Sequence, residues 1–314
     1  APRFNAFLEQ VLPDADTRAY VQRMCGMALT GENPERVMFV FHGDGRNGKT
    51  VLAEAMQQLL GDYAGPIAKA ALLERRPGQH TYDLASARGR RLVFTSETEE
   101  GERLSVAEVK AITGGDTISA RNIYEKVISF RPEFKVWLLT NYLPRVTDSG
   151  VATWDRLRVV PFNVRITDSD MIDLPVLLGM FKEESSGILA WAVAGCLEWQ
   201  RIGLAEPTEV IMAGASWRDG EDSLGQFLRE CTRDDRDDAF IASSDLFRAY
   251  AGWCEENGSH PMGMKRLSPL LQKRGLERGQ SAGATRQRGY LGRSLTDEGA
   301  RLAQSARWME RDGR

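Results

Sequence analysis

Apolar residues recur at helical spacing near the start of the chain and then give way to a continuous apolar run. Residues 17–30 carry apolar side chains three and four positions apart, and Gly31, Asn33 and Pro34 follow them. Residues of these types end helices. The run VMFVFHG at 37–43 then has the length and composition of a buried strand. The pattern predicts a helix, a turn and a strand.

Strands and helices alternate through the next hundred residues. A glycine-rich turn separates the first strand from residues 51–60, whose apolar positions have helical spacing and end at Gly61. Short apolar runs at 91–97 and 134–141 suit strands that are covered on both faces. We therefore expect an α/β fold with a central, mostly parallel sheet.

The remaining patterns suggest how the chain divides. Residues 104–115 read as a helix closed by glycines, and residues 117–130 have the composition of a hairpin. Helical spacing returns at 173–200, residues 205–210 have loop character, and a new helix begins at Ser223. We expect three parts: an N-terminal helical segment (1–35), an α/β domain (36–205) and a smaller C-terminal domain (222–314).

Composition excludes several classes of protein. The chain has 314 residues, 42% of them hydrophobic and 27% charged, as globular proteins do. No apolar run is long enough to cross a membrane, and the N-terminus does not resemble a signal peptide. The four cysteines are far apart and form no metal-binding pattern. We expect a soluble cytoplasmic protein with neither a membrane partner nor a structural metal.

Basic residues concentrate near the C-terminus although the net charge is only -3. Between Lys265 and Arg293 there are eight Lys/Arg residues and one acid, Glu277. Leucines interleave with these cations, which favours a folded basic unit over a solvated tail.

The glycine-rich turn carries the clearest chemical signal. It matches GxxxxGK followed by Ser or Thr, between a predicted strand and a predicted helix, and consists of Gly43, Asp44, Gly45, Arg46, Asn47, Gly48, Lys49 and Thr50. Glycines allow main-chain N–H groups to surround an anion at the positive end of a helix. We expect Lys49, at the solvent-facing mouth of the loop, to reach the β- and γ-phosphates of ATP, and Thr50 to bind Mg²⁺. The alternative is a turn that binds nothing.

A phosphate site of this kind needs an acid at the end of a neighbouring strand. Glu97 closes the run at 91–97 and is the best candidate to bind the metal, while Glu99 or Glu100 would polarise the attacking water. Asn141 ends the next strand and would hold that water or sense the γ-phosphate. The alternatives are an acidic surface turn and an ordinary turn asparagine.

Five consecutive pieces of the chain resemble the superfamily 3 helicases of the AAA+ class, most closely the helicase part of phage and plasmid primase-helicases. They are GDGRNGKT, RLVFTSETEEG, VKAITGGDTISARNIYEK, VWLLTNYLPRV and TWDRLRVVPF, within about residues 5–165. The resemblance implies a P-loop three-layer sandwich and a hexameric ring that hydrolyses ATP between subunits and moves on single-stranded DNA. It also implies that Lys110 contacts a neighbour's phosphate and that Arg156 is the arginine finger, with Arg158 as runner-up. The sequence Glu97-Thr98-Glu99 departs from the two adjacent acids of related members, which leaves the catalytic base open.

Two further segments suggest contacts with DNA. In the predicted hairpin, Arg121, Tyr124 and Lys126 would meet phosphates and a base in the ring channel, although a plain solvated hairpin fits the pattern nearly as well. The C-terminal part reads as three helices and a basic hairpin, the order of a winged helix. Its candidate contacts with duplex DNA are Lys265, Arg266, Lys273, Arg286 and Arg288. A winged helix that docks protein is the rival interpretation.

The sequence therefore predicts an ATP-driven DNA helicase motor for replication of a phage, prophage or plasmid, with ATP and Mg²⁺ as cofactors. A primase domain upstream in the full-length protein is a possible partner. Two alternatives stay open: a P-loop kinase of a small molecule, and an origin-binding or assembly factor that uses ATP without separating strands.

Overall fold

Seven short strands form among the described residues up to Pro161. The computed structural model describes residues 1–74, 84–96, 98–120, 127–147, 150–235, 239–281 and 286–312. The strands are β1 (Met38–His42), β2 (Ala64–Pro66), β3 (Leu92–Ser96), β4 (Ile118–Ala120), β5 (Ile128–Phe130), β6 (Lys135–Thr140) and β7 (Leu157–Pro161). Five of them make one sheet in the order β2-β3-β6-β1-β7, with parallel pairing throughout. The other two, β4 and β5, form the expected antiparallel hairpin.

Helices cover both faces of this sheet. They are α1 (Pro2–Val11), α2 (Ala15–Met27), α3 (Lys49–Leu60), α4 (Val106–Gly114), α5 (Val151–Trp154), α6 (Leu174–Glu183), α7 (Ser185–Ile202) and α8 (Thr208–Glu221). The helical pattern at 173–200 is thus two helices that meet at Glu184. Residues 208–221, which the sequence suggested as a boundary region, form a helix whose Trp217 packs edge-on against Trp154.

Alternate residues of the central strands enter two different cores. In β1, Phe39 and Phe41 join the core that also contains residues of α1, α2, α3, α6 and α7. Met38 and Val40 join the opposite core, with residues of α4 and α8. Because both faces are buried, the strand is apolar at nearly every position, which is why it reads as a continuous apolar run. The expected α/β class with a central parallel sheet is confirmed.

The chain forms two compact units, Ala1–Glu221 and Asp222–Arg314. The N-terminal helices share the core of the first unit, since Phe4, Phe7 and Tyr20 are buried with the strand residues. Residues 1–35 are therefore part of the α/β unit. Among the described residues, no helix is both long and apolar enough to span a membrane.

The second unit contains helices around small antiparallel sheets. Its elements are α9 (Ser223–Cys231), β8 (Thr232–Asp234), β9 (Phe240–Ala242), α10 (Ser243–Glu256), α11 (Met264–Lys273), β10 (Arg278–Gln280), β11 (Arg288–Leu291), β12 (Arg293–Leu295) and α12 (Asp297–Asp312). One sheet has the order β10-β11-β9, and β8 pairs with β12. Phe227, Tyr250 and Leu267 lie in its separate core.

Candidate phosphate-binding site

The glycine-rich turn leaves β1 and enters α3 through left-handed backbone positions. Gly48, the residue before α3, has a φ of 86°, and Arg46 has a φ of 57°. A Cβ atom on Gly48 would lie 2.7 Å from Cγ1 of Val11 and 2.9 Å from Cε2 of Phe7. Glycine is therefore required at position 48 both by its dihedral angle and by the close approach of α1. Helix α1 thus forms one wall of the site.

Lys49 is held inside the turn by oxygen atoms from three directions. Its side chain is 6% exposed, so the expected position at a solvent-facing mouth is wrong. Its Nζ donates to the main-chain oxygen of Gly43, and to Oδ1 of Asn47 and Oδ1 of Asn141 at 3.1 Å each. These acceptors hold the ammonium group in one place.

Asn141 joins the turn to the neighbouring strand. It follows β6, which pairs with β1, so parallel strand ends bring its side chain to the turn. Its Oδ1 accepts from Lys49 and, at 3.3 Å, from the main-chain N–H of Gly45. The residues from Gly45 to Val51, together with Leu139 and Asn141, line a cavity of about 230 Å³. Thr50 is exposed there and offers a hydroxyl oxygen suited to Mg²⁺.

The segment after β7 holds the other side of the turn. Asn47 donates through Nδ2 to the main-chain oxygen of Phe162 at 3.0 Å. The main-chain N–H of Ile166 donates to the oxygen of Arg46 at 2.8 Å, and Arg46 forms an ion pair with Asp168. The turn is therefore fixed by α1, β6 and this segment.

A second, mostly apolar cavity adjoins the first. Its volume is about 610 Å³, and it shares Arg46, Gly48 and Val51 with the phosphate-side cavity. Phe7 of α1 and Leu177 of α6 form opposite parts of its lining. The two cavities together offer a compartment with a mixed polar and apolar lining beside a mostly apolar one.

The acidic segment after β3 contains the predicted metal ligand and the predicted catalytic base. Glu97 lies outside the described residues. Glu99 is exposed and forms an ion pair with Lys69 at 3.0 Å, and the hydrogen bonds that Lys69 donates to Glu99 and Glu102 raise the pKa of Lys69. Thr98 is buried, and its hydroxyl contacts the hydroxyl of Thr140 at 2.5 Å. Among the described residues, the side-chain partners of Glu99 lie outside the glycine-rich turn.

Arg156 lies at the amino ends of the strands, whereas the glycine-rich turn lies at their carboxyl ends. Its main-chain oxygen accepts from Met38, the first residue of β1, whereas the turn follows the last residue of β1. A five-residue strand separates them by about 13 Å. Its Nη1 donates to the oxygen of Ala152, and its buried Nε has no hydrogen-bond partner among the described residues. Arg158, in contrast, forms an ion pair with Glu206.

The other candidate residues divide between described and undescribed parts of the chain. Lys110 is half-buried on α4. In the hairpin, the hydroxyls of Ser119 and Ser129 lie 3.0 Å apart across β4 and β5. The predicted DNA contacts Arg121, Tyr124 and Lys126 lie outside the described residues.

Some cations of the basic segment of the second unit are exposed, and others form ion pairs with acids of the same unit. The five predicted contacts are exposed: Lys265, Arg266, Lys273, Arg286 and Arg288. Arg274 pairs instead with Asp222, which caps α9. Arg293 pairs with Asp234 at 2.8 Å. The excess of positive charge therefore belongs to α11 and to the segment entering β11.

Two sequence families match separate parts of the chain. A family of unknown function, DUF5906, matches residues 41–156, which include the glycine-rich turn and Asn141. The Poxvirus D5 protein-like family matches residues 220–278, in the second unit.

Several viral proteins are similar to the chain. "Putative helicase 022R" of Frog virus 3 is 28% identical over 309 residues, covering 90% of this chain and 32% of that protein. "Putative helicase L207/L206" of Acanthamoeba polyphaga mimivirus is 36% identical over 160 residues, covering 50% and 17%. A putative primase of African swine fever virus is 27% identical over 154 residues, covering 48% and 16%. The chain thus spans a third or less of these relatives' length.

Solved structures share the fold. The apo structure of the NrS-1 C terminal region matches with a TM-score of 0.56 at 13% identity, covering 92% of this chain and 75% of that one. Together, the match to the Poxvirus D5 protein-like family and the viral relatives support similarity of this chain to D5-like viral proteins that are named as putative helicases and primases.

Proposed function

We propose that the chain is the ATP-dependent motor of a DNA helicase that acts in replication. The observation that carries this proposal is the meeting of Lys49 and Asn141 across the glycine-rich turn, with Nζ and Oδ1 3.1 Å apart. A lysine and a polar strand-end side chain that meet at a cavity beside a helix N-terminus are suited to the terminal phosphates of a nucleotide. The names of the viral relatives support a role in replication.

The site fits a nucleotide with its metal. The amide and carbonyl oxygens around Lys49 are replaced by β- and γ-phosphate oxygens when ATP binds, so that its charge stabilises them. Thr50 and Glu97 would hold Mg²⁺, which neutralises phosphate charge when bound. Asn141 orients the water or the γ-phosphate, and Glu99 remains a candidate base only if it leaves Lys69.

The apolar cavity has room for the rest of the nucleotide. It adjoins the phosphate side at Gly48 and Val51, and its walls carry Phe7 and Leu177. Flat heterocycles bind to such mostly apolar surfaces. We assign it to the base and sugar of ATP.

Arg156 supports hydrolysis between subunits. At the amino end of β7 it is too distant to reach the P-loop of its own chain, and its Nε has no hydrogen-bond partner within the described part of the chain. We propose a ring of six subunits in which this guanidinium reaches the ATP of a neighbouring subunit. There it would stabilise the charge on the transferring phosphoryl group. Lys110 would contact the same phosphates, while Arg158 is already engaged by Glu206.

The second unit supports contact with duplex DNA. Apart from β8, which follows α9, its elements have the order α9, β9, α10, α11, β10, β11 and the sheet order β10-β11-β9, which supports a winged-helix interpretation. In such domains the third helix enters the major groove, and here α11 carries exposed Lys265, Arg266 and Lys273. Single-stranded DNA in the ring channel would contact the hairpin residues Arg121, Tyr124 and Lys126.

Phosphate release and strand separation test the proposal together. We expect ATP hydrolysis that single-stranded DNA stimulates and unwinding of a forked duplex. Lys49→Ala should lower hydrolysis by about 100-fold or more, because the phosphates lose their cation. Lys182→Ala, an exposed lysine of α6, is the matched control.

The same measurements separate the alternatives. A small-molecule kinase would transfer phosphate to a soluble product without stimulation by DNA. An assembly factor would bind duplex DNA and oligomerise with ATP, yet leave the fork intact. Normal turnover by Lys49→Ala would refute the P-loop assignment itself.

A further inference from the structure

Two arginines of the first unit lie opposite each other across an isolated backbone bridge. Arg103 forms an isolated parallel bridge with Arg145, and Leu104 forms an antiparallel bridge with Leu73. The main-chain N–H of Leu104 donates to the oxygen of Arg145 at 2.9 Å, and that of Arg145 donates to the oxygen of Glu102 at 2.8 Å. The relative position of the two arginines is therefore set by the backbone.

Both side chains point to solvent on the same side of this bridge between two extended segments. Successive residues of an extended segment face opposite sides. Leu104 and Val146 are buried in the core, at 0% and 4% exposure, so their neighbours Arg103 and Arg145 face outward. Residues paired across strands are about 4.8 Å apart at the backbone, so the two side chains extend from neighbouring points on the surface.

No described residue neutralises either cation through an ion pair. Glu102 pairs with Lys69 and Glu74 accepts from Thr147, whereas Glu221 accepts from the main-chain N–H of Val146 and also interacts electrostatically with Arg145, which partly offsets the rise in the pKa of Glu221 that burial causes. Like charges directly opposite each other across strands are destabilising. The free protein therefore carries an unfavourable pair that an anion would relieve.

The position of the pair connects it to the nucleotide site. Arg145 follows Asn141 by four residues, and the segment between them is anchored where Thr98 and Thr140 donate to the main-chain oxygen of Tyr142 at 2.6 and 2.7 Å. An anion bound by Arg145 would thus contact the same chain segment that holds Lys49 through Asn141.

We propose that Arg103 and Arg145 bind neighbouring phosphodiester groups of one strand of single-stranded DNA. This inference rests on the proposed function. Every nucleotide of a DNA strand carries one phosphate charge, and in a duplex these charges follow one another about every 3.4 Å along each strand. Two arginines in register on an open surface match such a row of charges. Neither arginine lines the two cavities at the P-loop, so the nucleotide of the same chain does not account for them.

Salt-dependent binding of a labelled oligothymidylate to the full chain tests the proposal. Each phosphate neutralised on a single strand contributes about 0.7 to the slope of log affinity against log salt. The double variant Arg103→Ala/Arg145→Ala should therefore lower that slope by about 1.4 and weaken binding about tenfold or more at 0.1 M salt. Arg103→Lys/Arg145→Lys should keep the slope, because both charges remain.

Two controls make the result specific. Arg88→Ala removes an exposed arginine on the segment that enters β3 and should leave the slope unchanged. The melting temperature of the double alanine variant should equal or exceed that of the unaltered chain, because repulsion between like charges is relieved. A lower melting temperature together with weaker binding would indicate a structural role and overturn the proposal.

The remaining outcomes are separable from the proposed function. If the unaltered chain binds neither ATP nor DNA, the helicase proposal fails. If it binds both and the double alanine variant binds DNA with an unchanged slope, only this inference fails. If DNA binding is unchanged while hydrolysis without DNA collapses, the arginines contact a neighbour's nucleotide instead, which also overturns it.

Discussion

Lys135 is a charged residue type in a fully buried position. It begins β6 with 0% exposure, and its Nζ donates to the main-chain oxygen of Thr30. Burial, reinforced by the charge of Arg91, lowers its pKa to about 7. At neutral pH the folded protein therefore holds this lysine near the midpoint of its titration.

Lys135→Met should stabilise the protein at neutral pH and less so at alkaline pH. The unfolded chain keeps a lysine pKa of about 10.4, so between pH of about 7 and about 10 it binds more protons than the folded chain. The free energy of unfolding of the unaltered protein therefore rises with pH in that window. We expect an advantage of about 2 kcal/mol for the variant at pH 7, since the lost hydrogen bond to Thr30 offsets part of the gain.

Melting temperatures between pH 6.5 and 9.5 measure this effect. Lys182→Met, at an exposed position of α6, is the control and should show no comparable change with pH. A difference between Lys135→Met and the unaltered chain that stays constant with pH would contradict the assignment.

Residues that a motif or a strand end marks were predictable, whereas the contacts of their side chains were not. The motif predicted the residues of the glycine-rich turn, and the strand-end rule predicted that Asn141 lies near it. The burial of Lys49 was missed because two of its acceptors, Gly43 and Asn47, are in the turn itself and close around it. The partner of Glu99 is Lys69, thirty positions away, and no local pattern indicates that pair.

At the scale of elements, α1 and the glycine-rich turn form one packed unit. Gly48→Ala should destabilise it, because a Cβ atom there would lie 2.7 Å from Val11 and a φ of 86° disfavours alanine by about 1 kcal/mol. We expect a lower melting temperature and weaker ATP binding. Gly179→Ala in α6, where a Cβ would meet nothing within 4 Å, should instead stabilise by about 0.5–1 kcal/mol.

A second substitution separates packing from backbone strain at Gly48. Adding Val11→Ala to Gly48→Ala makes room for the new Cβ and should recover part of the lost stability. If Gly48→Ala alone melts and binds ATP like the unaltered chain, α1 does not close on the turn as described.

The exposed cations of the second unit carry the next prediction. Arg286→Glu/Arg288→Glu should weaken duplex DNA binding most at low salt. Each phosphate contact that is lost removes the release of a counterion, and that release favours binding most at low salt. Hydrolysis of ATP without DNA should not change. The charge-matched control Arg88→Glu/Arg218→Glu alters exposed arginines of the first unit. Unchanged duplex affinity would favour a protein-docking role for the second unit.

Helices and strands with a regular pattern of apolar residues were predictable. The breaks between them and the elements that they pack against were not. The strands at 37–43, 91–97 and 134–141, the helix at 104–115 and the hairpin at 117–130 are confirmed. The chain breaks at Glu184 without Gly or Pro, so 173–200 read as one helix. The helix α1 was overlooked although Phe4, Phe7, Leu8 and Val11 have helical spacing, and its contact with Gly48 is tertiary.

At the scale of the whole molecule, the two ends of the parallel sheet have different roles in the proposed motor. Lys49 and Asn141 lie at the carboxyl ends of the strands, and Arg156 precedes β7 at the amino ends. One chain therefore holds both parts of an active site but cannot bring them together. In a ring, each interface would take its P-loop from one subunit and its arginine from the next.

Mixing two inactive variants tests this arrangement. Lys49→Ala alone and Arg156→Ala alone should each be nearly inactive, because every interface of a uniform ring then lacks one part. In mixed rings, an intact P-loop from an Arg156→Ala subunit can face an intact Arg156 from a Lys49→Ala subunit. We therefore expect partial recovery of ATP hydrolysis on mixing, measured by phosphate release after subunit exchange.

The control for mixing must exclude recovery that does not depend on complementary sites. A Lys49→Ala/Arg156→Ala double variant mixed with either single variant offers no interface with both parts, so hydrolysis should stay at its background level. Strand separation need not return with hydrolysis, since translocation requires consecutive working interfaces. A normal rate of hydrolysis by Arg156→Ala in intact rings would contradict the assignment and move the finger to Arg158, which would then have to leave Glu206.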